Sequence, residues 1–148
     1  MSVKIRSAKQ SDMESILKLM DYLLKLEGDF ENKREKQMKG FGMIIEDDRS
    51  ELFIAEQDGE VVGMAGLHFY ISSVQGGYAG VVEDVVVAKE HSGKGIGTKL
   101  LNHIDNFARD KGVERLQLMV ADDNTSAKSV YNTHNWHETK YIGYVKYL

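Results

Sequence analysis

The chain has 148 residues, of which 42% are hydrophobic, and a formal net charge of −4. That length suits one core-bearing domain spanning residues 1–148. Cysteine and proline are both absent; this excludes a disulfide framework, a cysteine zinc site and a cysteine nucleophile, and leaves turns to glycine, asparagine and aspartate. Charges of both signs are interspersed without a basic face, so nucleic acid is not an expected partner. No apolar run reaches the roughly eighteen residues of a membrane span, so no membrane partner is expected either. The first six residues lack the apolar stretch of a signal peptide, and the expected location is the cytoplasm.

In chain order, residues 3–6 alternate apolar and basic and read as a strand. Ser11-Asp12-Met13-Glu14 has the spacing of a capping box. Met13, Ile16, Leu17, Met20, Leu23 and Leu24 then recur on one face of a helix, which Gly28 ends. Residues 31–45 read as a second helix, with a break expected at Gly40-Phe41-Gly42. Residues 52–57, 61–72 and 78–87 read as an antiparallel meander, its first turn made by Asp58-Gly59, where both positions accept positive φ.

After Val87 the period changes to that of a helix through Ile96, Leu100, Leu101, Ile104, Phe107 and Ala108, closed by Lys111-Gly112. Such a crossover makes its flanking strands parallel. Residues 115–120 read as a strand, 124–134 as a short helix, and 138–147 as one long or two short strands. The fold class is therefore α/β (α+β), with element order β-α-α-β-β-β-α-β-α-β. The expected sheet is mixed, with six to seven strands and about four flanking helices.

Three segments carry chemistry. In Ser92-Gly93-Lys94-Gly95-Ile96-Gly97-Thr98, three glycines at alternate positions join a β-branched strand to an amphipathic helix. A helix N-terminus offers free N–H groups and partial positive charge, and glycines allow close approach of an anion. A diphosphate cradle fits this pattern, as does a plain glycine-rich turn. The third glycine comes too early for a dinucleotide fingerprint. Gly93-Lys94 is followed by Gly95 rather than Ser or Thr, which excludes a nucleotide-triphosphate loop.

The glycine segment resembles the acyl-coenzyme A motif of the GNAT superfamily of N-acetyltransferases, Arg/Gln-x-x-Gly-x-Gly/Ala after a strand ending in valine. Ser92, Gly95 and Gly97 fall on its marked positions, with Ser92 in place of Arg or Gln. Asn124, Ala127, Tyr131, Asn135 and Trp136 resemble a second family signature, Asn…Ala-x-x-x-Tyr-x-x-x-Gly-Phe. Asn135 there replaces a glycine, and asparagine is the next residue to tolerate a left-handed helix end.

The resemblance implies a GNAT-like fold and acetyl-CoA as co-substrate, with no metal. Its pyrophosphate would rest on Ser92, Gly93, Lys94, Gly95, Ile96, Gly97 and Thr98. Its pantetheine would lie along Val85, Val86 and Val87, and Asn124 would contact the coenzyme. Tyr131 would protonate the departing thiolate, and Glu83 resembles the acidic residue several members carry as base. A core aromatic at Tyr131 and a solvent-facing carboxylate at Glu83 are the plainer readings. Adjacent strand residues face opposite sides, so Glu83 and Asp84 are not expected to act as a pair.

The implied reaction is acetyl transfer to a primary amine by direct attack in a ternary complex, with a small-molecule acceptor ahead of a protein one. A non-catalytic acyl-CoA sensor and a protein lysine or N-terminal acetyltransferase remain alternatives. Glu27, Asp29 and Glu31 fall where the family often lines its acceptor pocket. His134 and His137 are spaced by three but straddle a helix end, so no metal site is read. His103 is expected on the exposed side of its helix and His68 on a strand near the pocket. Family members are commonly dimers, and Tyr141, Tyr144 and Tyr147 suit a homodimer interface or a core.

Overall fold

The alternating start of the chain forms β1 (Lys4–Ser7). Residues 2–28 and 33–148 are the described part of this computed structural model. A single 3₁₀ turn, Gln10–Asp12, leads into α1 (Met13–Glu27). The expected Ser11–Glu14 box does not form. Arg6 grips Asp12 at 2.8 and 2.9 Å, and the Asp12 carboxylate accepts the Lys9 N–H at 2.8 Å. Glu14 turns outward to accept from Arg34 at 2.7 Å. An ion pair anchored in β1 thus holds the 3₁₀ turn that leads into α1, and no side chain caps α1 itself. Gly28, at φ 73°, closes α1 by donating its N–H to Leu24 O at 2.9 Å.

The second helix, α2 (Arg34–Glu46), runs unbroken through Gly40 and Gly42. Each glycine costs a helix about 1 kcal/mol relative to alanine. Phe41 between them is 4% exposed and packs with Ile16, Leu17 and Leu19 of α1. Burying an aromatic ring outweighs that loss. The expected start of the helix at Glu31 lies outside the described residues.

β2 (Ser50–Gln57) and β3 (Glu60–Ser72) form a hairpin around Asp58 and Gly59, at φ 51° and 80°. β4 (Gly77–Val87) pairs antiparallel with β3, and β5 (Leu116–Gln117) pairs parallel with β4. The sheet is mixed, five-stranded, and ordered β1-β2-β3-β4-β5. Its β4–β5 crossover is α3 (Ile96–Asp110).

The pleat sorts the core into two layers. Leu52, Ile54, Met64 and Val86 pack on α1 and α2. Phe53 and Phe69 point the other way and meet Phe107 of α3, with centroids 5.2 and 6.2 Å away. His103 is not on an exposed face: its ring stands edge-on to Phe53 at 4.6 Å. Gly63 lets α3 approach, since a Cβ there would lie 3.3 Å from Leu100 and 3.4 Å from Ile96.

The chain divides into two compact units, Met1–Gln117 and Leu118–Leu148. The second contains α4 (Thr125–Thr133), and Lys128 pairs with Asp122 at 2.7 Å. Residues 138–147 form no strand, so the sheet has five strands rather than six to seven. A strand exists only through a partner's N–H and C=O groups, and the second unit has no other strand among its described residues. Tyr141, Tyr144 and Tyr147 are 79%, 94% and 85% exposed, so they are not core residues.

Candidate active site

The glycine turn is built by residue type. Gly93 and Gly95 sit at φ 75° and 80°, and a Cβ at either would meet nothing within 4 Å. Backbone conformation, not crowding, therefore requires glycine there. Gly95 is the N-cap of α3, and no side chain caps that end. The N–H groups of Ile96, Gly97 and Thr98 have no intrahelical partner by position, the arrangement that suits an anion. The Ser92 hydroxyl donates to Lys89 O at 2.9 Å and so locks the turn that precedes the glycines. His91 Nδ1, in that same turn, is buried without a hydrogen-bond partner. These features fit the diphosphate of acetyl-CoA, held by backbone N–H groups.

β4 supplies the second part. Its eleven residues pair with β5 only at Gly80 and Val81. From Val82 to Val87 that edge has no strand partner among the described residues, an arrangement that suits the main chain to an extended ligand such as pantetheine. Val86 is buried in the core, and Val85 and Val87 are half-buried. The Val87 side chain lies 3.9 Å from where a Gly97 Cβ would be, which ties the strand end to the glycine turn.

The acids lie at a defect in β4. Gly66 of β3 stands opposite Glu83, and Met64 stands opposite Val86, so Ala65 faces two residues. Asp84 takes φ 54° to accommodate the extra residue. This is a β-bulge with a left-handed aspartate. Strict alternation is interrupted here between Glu83 and Val86. Burial, then the neighbouring charges of Glu83 and Glu27, push the Asp84 carboxyl up to about 6. Glu83 is the more exposed acid, at 59% of its side chain.

Across the sheet, His68 Nε2 approaches Glu83 Oε2 at 3.9 Å. Gly66 leaves room for both, since a Cβ there would lie 3.2 Å from Glu83 O and 3.7 Å from His68 Nε2. Asp29 and Glu31 lie outside the described residues. An open groove of about 800 Å³ borders Arg6, Ser15, Lys18, Tyr22, Glu60 and His91. Neither Glu83 nor Asp84 lines it.

Asn124 and Tyr131 belong to the second unit. Asn124 Oδ1 accepts the Ala127 N–H at 3.1 Å and caps α4. Asn135 adopts φ 64°, the left-handed helix end expected of it. The chain then folds back so that Trp136 N–H donates to Tyr131 O at 3.1 Å. The Trp136 ring stands edge-on to Tyr131 at 5.9 Å. Burial raises the Tyr131 phenol above its ordinary value, which keeps it protonated and able to donate.

The left-handed conformation of Asp84 is not what plain strand alternation implies. One signal for it was in the sequence: an aspartate interrupting a valine run is a poor strand former and a good left-handed one.

A glycine turn with free N–H groups, a strand edge without a strand partner among the described residues and a carboxylate-bearing bulge are the features expected of an acyl-coenzyme A-dependent transferase. Residues 15–136 match the acetyltransferase (GNAT) family model. The thialysine N-epsilon-acetyltransferase of Sus scrofa is 31% identical, over 96% of this chain and 94% of its own. The aminoalkylphosphonate N-acetyltransferase of Salmonella typhimurium strain LT2 is also 31% identical, over 78% of this chain and 72% of its own. The crystal structure of a possible acetyltransferase from Clostridium difficile 630 superposes with a TM-score of 0.88 at 26% identity, covering 99% and 97% of the two chains. The chain belongs to the GNAT family of N-acetyltransferases.

Proposed function

We propose that the protein acetylates a small-molecule primary amine from acetyl-CoA by direct attack in a ternary complex, with residues 1–148 working as one domain. The observation that carries this reading is β4 itself. One strand holds two acids at its bulge, an open edge beyond them, and the glycine turn at its end. That order matches the extended coenzyme, from thioester to diphosphate. The family match runs across both compact units, which supports a single working domain.

In the proposed step, the acceptor ammonium gives one proton to Glu83 and attacks the thioester carbonyl as a neutral amine. A free N–H on the β4 edge stabilises the oxyanion. Collapse breaks the C–S bond, the Tyr131 hydroxyl protonates the thiolate, and the second proton of the acylated nitrogen passes to the Tyr131 oxygen and restores the phenol. Two features support a small cationic acceptor. The relatives' names specify thialysine and aminoalkylphosphonates as their acceptors, and Glu27, Glu83 and Asp84 give the bulge a negative field.

Thiol release from acetyl-CoA over a panel of lysine analogues, aminoalkylphosphonates, diamines and aminoglycosides tests the reading. Failure to bind acetyl-CoA at millimolar concentration would overturn it. Tyr131→Phe should lower kcat by about 10²-fold or more while coenzyme affinity stays unchanged. An equally active variant removes Tyr131 from the mechanism.

A further inference from the structure

A chain of polar contacts crosses three strands beside the bulge. Ser50 Oγ, on β2, donates to Asp47 Oδ2 at 2.7 Å. His68 Nδ1, on β3, lies 3.0 Å from the same Ser50 oxygen. His68 Nε2 then faces Glu83 Oε2 of β4 at 3.9 Å. The strand register makes this possible, with Ser50 directly opposite His68 and Gly66 directly opposite Glu83.

Proton counting assigns the tautomer. A serine hydroxyl has one proton, and an ionised carboxylate only accepts. The Ser50 proton goes to Asp47, so in the Ser50–His68 contact the imidazole must be the donor. Neutral His68 therefore carries its proton on Nδ1 and presents the Nε2 lone pair to Glu83.

We propose that His68 is a positioning residue that drains the proton Glu83 removes from the acceptor amine, with Ser50 and Asp47 fixing the tautomer that lets it do so. The proposal rests on the acetyl-transfer reading and adds to it the route of the proton. The ammonium N–H bond breaks as the Glu83 O–H bond forms. Glu83 then passes that proton to His68 Nε2 and is again a carboxylate. The resulting imidazolium lies between Glu83 on β4 and the Ser50–Asp47 pair before and on β2, and Asp84 and Glu27 add negative charge beyond Glu83. The His68 side chain is 26% exposed, so Nε2 can return the proton to solvent before the next turnover. The 3.9 Å gap is wider than a hydrogen bond, as such contacts often are without substrate.

Two measurements on the full chain test this. The imidazole ¹⁵N spectrum of the neutral protein reads the tautomer without any turnover. Nδ1–H is expected in the wild type, and Ser50→Ala should release that preference while Ser50→Thr keeps it. Steady-state kinetics with acetyl-CoA and the best amine of the panel read the drain. His68→Gln should lower kcat on the order of tenfold, below the ~10²–10⁴ of a residue that touches substrate. It should also alter the acid limb of the pH–rate profile and leave acetyl-CoA affinity unchanged. A wild-type chain that binds no acetyl-CoA overturns the acetyl-transfer reading and the drain with it. A chain that turns over acetyl-CoA but carries Nε2–H, or whose His68→Gln variant keeps kcat and pH profile, overturns the drain alone.

Discussion

Two stretches of the first unit use the same rare backbone conformation for different ends. In the glycine turn, Gly93 and Gly95 hold φ 75° and 80° with open space around each missing Cβ. In the β4 bulge, Asp84 holds φ 54° with a buried carboxyl. The turn needs left-handed residues to aim N–H groups at an anion, and uses the residue for which that conformation is free. The bulge uses an aspartate, which pays with backbone strain and desolvation. In the proposed reaction the turn serves binding, whereas the bulge concentrates charge where the acceptor's proton is removed.

That division predicts separable defects. Glu83→Gln keeps the size of the side chain and removes its basicity. We expect kcat to fall by ~10²-fold or more, with acetyl-CoA affinity measured by calorimetry unchanged. A loss of affinity equal to the loss of kcat would mean that bulge and turn are one binding element.

Asp84 sharpens the contrast through stability. Its carboxyl holds a proton up to about 6 in the folded chain, against an ordinary value of 3.8. Below the ordinary value the group is neutral in both states and costs nothing. As pH rises from there through about 6, the unfolded chain ionises more readily than the folded one, so stability falls. Above that window the penalty is complete, at roughly 3 kcal/mol at most. Asp84→Asn should therefore be more stable than wild type at pH 7.5, and the gap should close as pH falls toward 4. Urea midpoints at several pH values measure it, and a pH-independent difference would assign the effect to packing.

The glycine turn was legible in the sequence because its signal is local. Alternate glycines between a valine run and an amphipathic face imply the conformation directly. The same holds for Asp58-Gly59, for Gly28 and for Asn135, each of which takes the left-handed conformation its residue type suggests. The bulge was legible only as an aspartate interrupting a valine run, because the mismatch itself lies between β3 and β4 and neither strand records it alone. Three further departures from expectation have the same origin. Phe41 rescues α2 through contacts with α1, Arg6 recruits Asp12 from another element, and residues 138–147 read as strand without a partner. His68 and Ser50 are 18 positions apart and meet only through strand register.

Gly95→Ala probes the turn from the opposite side. Nothing lies within 4 Å of a Cβ at this position, so the substitution introduces no clash. Its whole effect should come from φ 80°, which costs an L-residue about 1–2 kcal/mol. A chain that keeps the conformation should lose that much stability, visible in the urea midpoint, and keep its acetyl-CoA affinity. A chain that relaxes should lose little stability but bind acetyl-CoA more weakly, because the Ile96, Gly97 and Thr98 N–H groups are re-aimed. Either result separates the turn from the bulge, since kcat at saturating acetyl-CoA should change little. A large fall in kcat at saturation would join the two, showing that the turn also sets the thioester's position against Glu83.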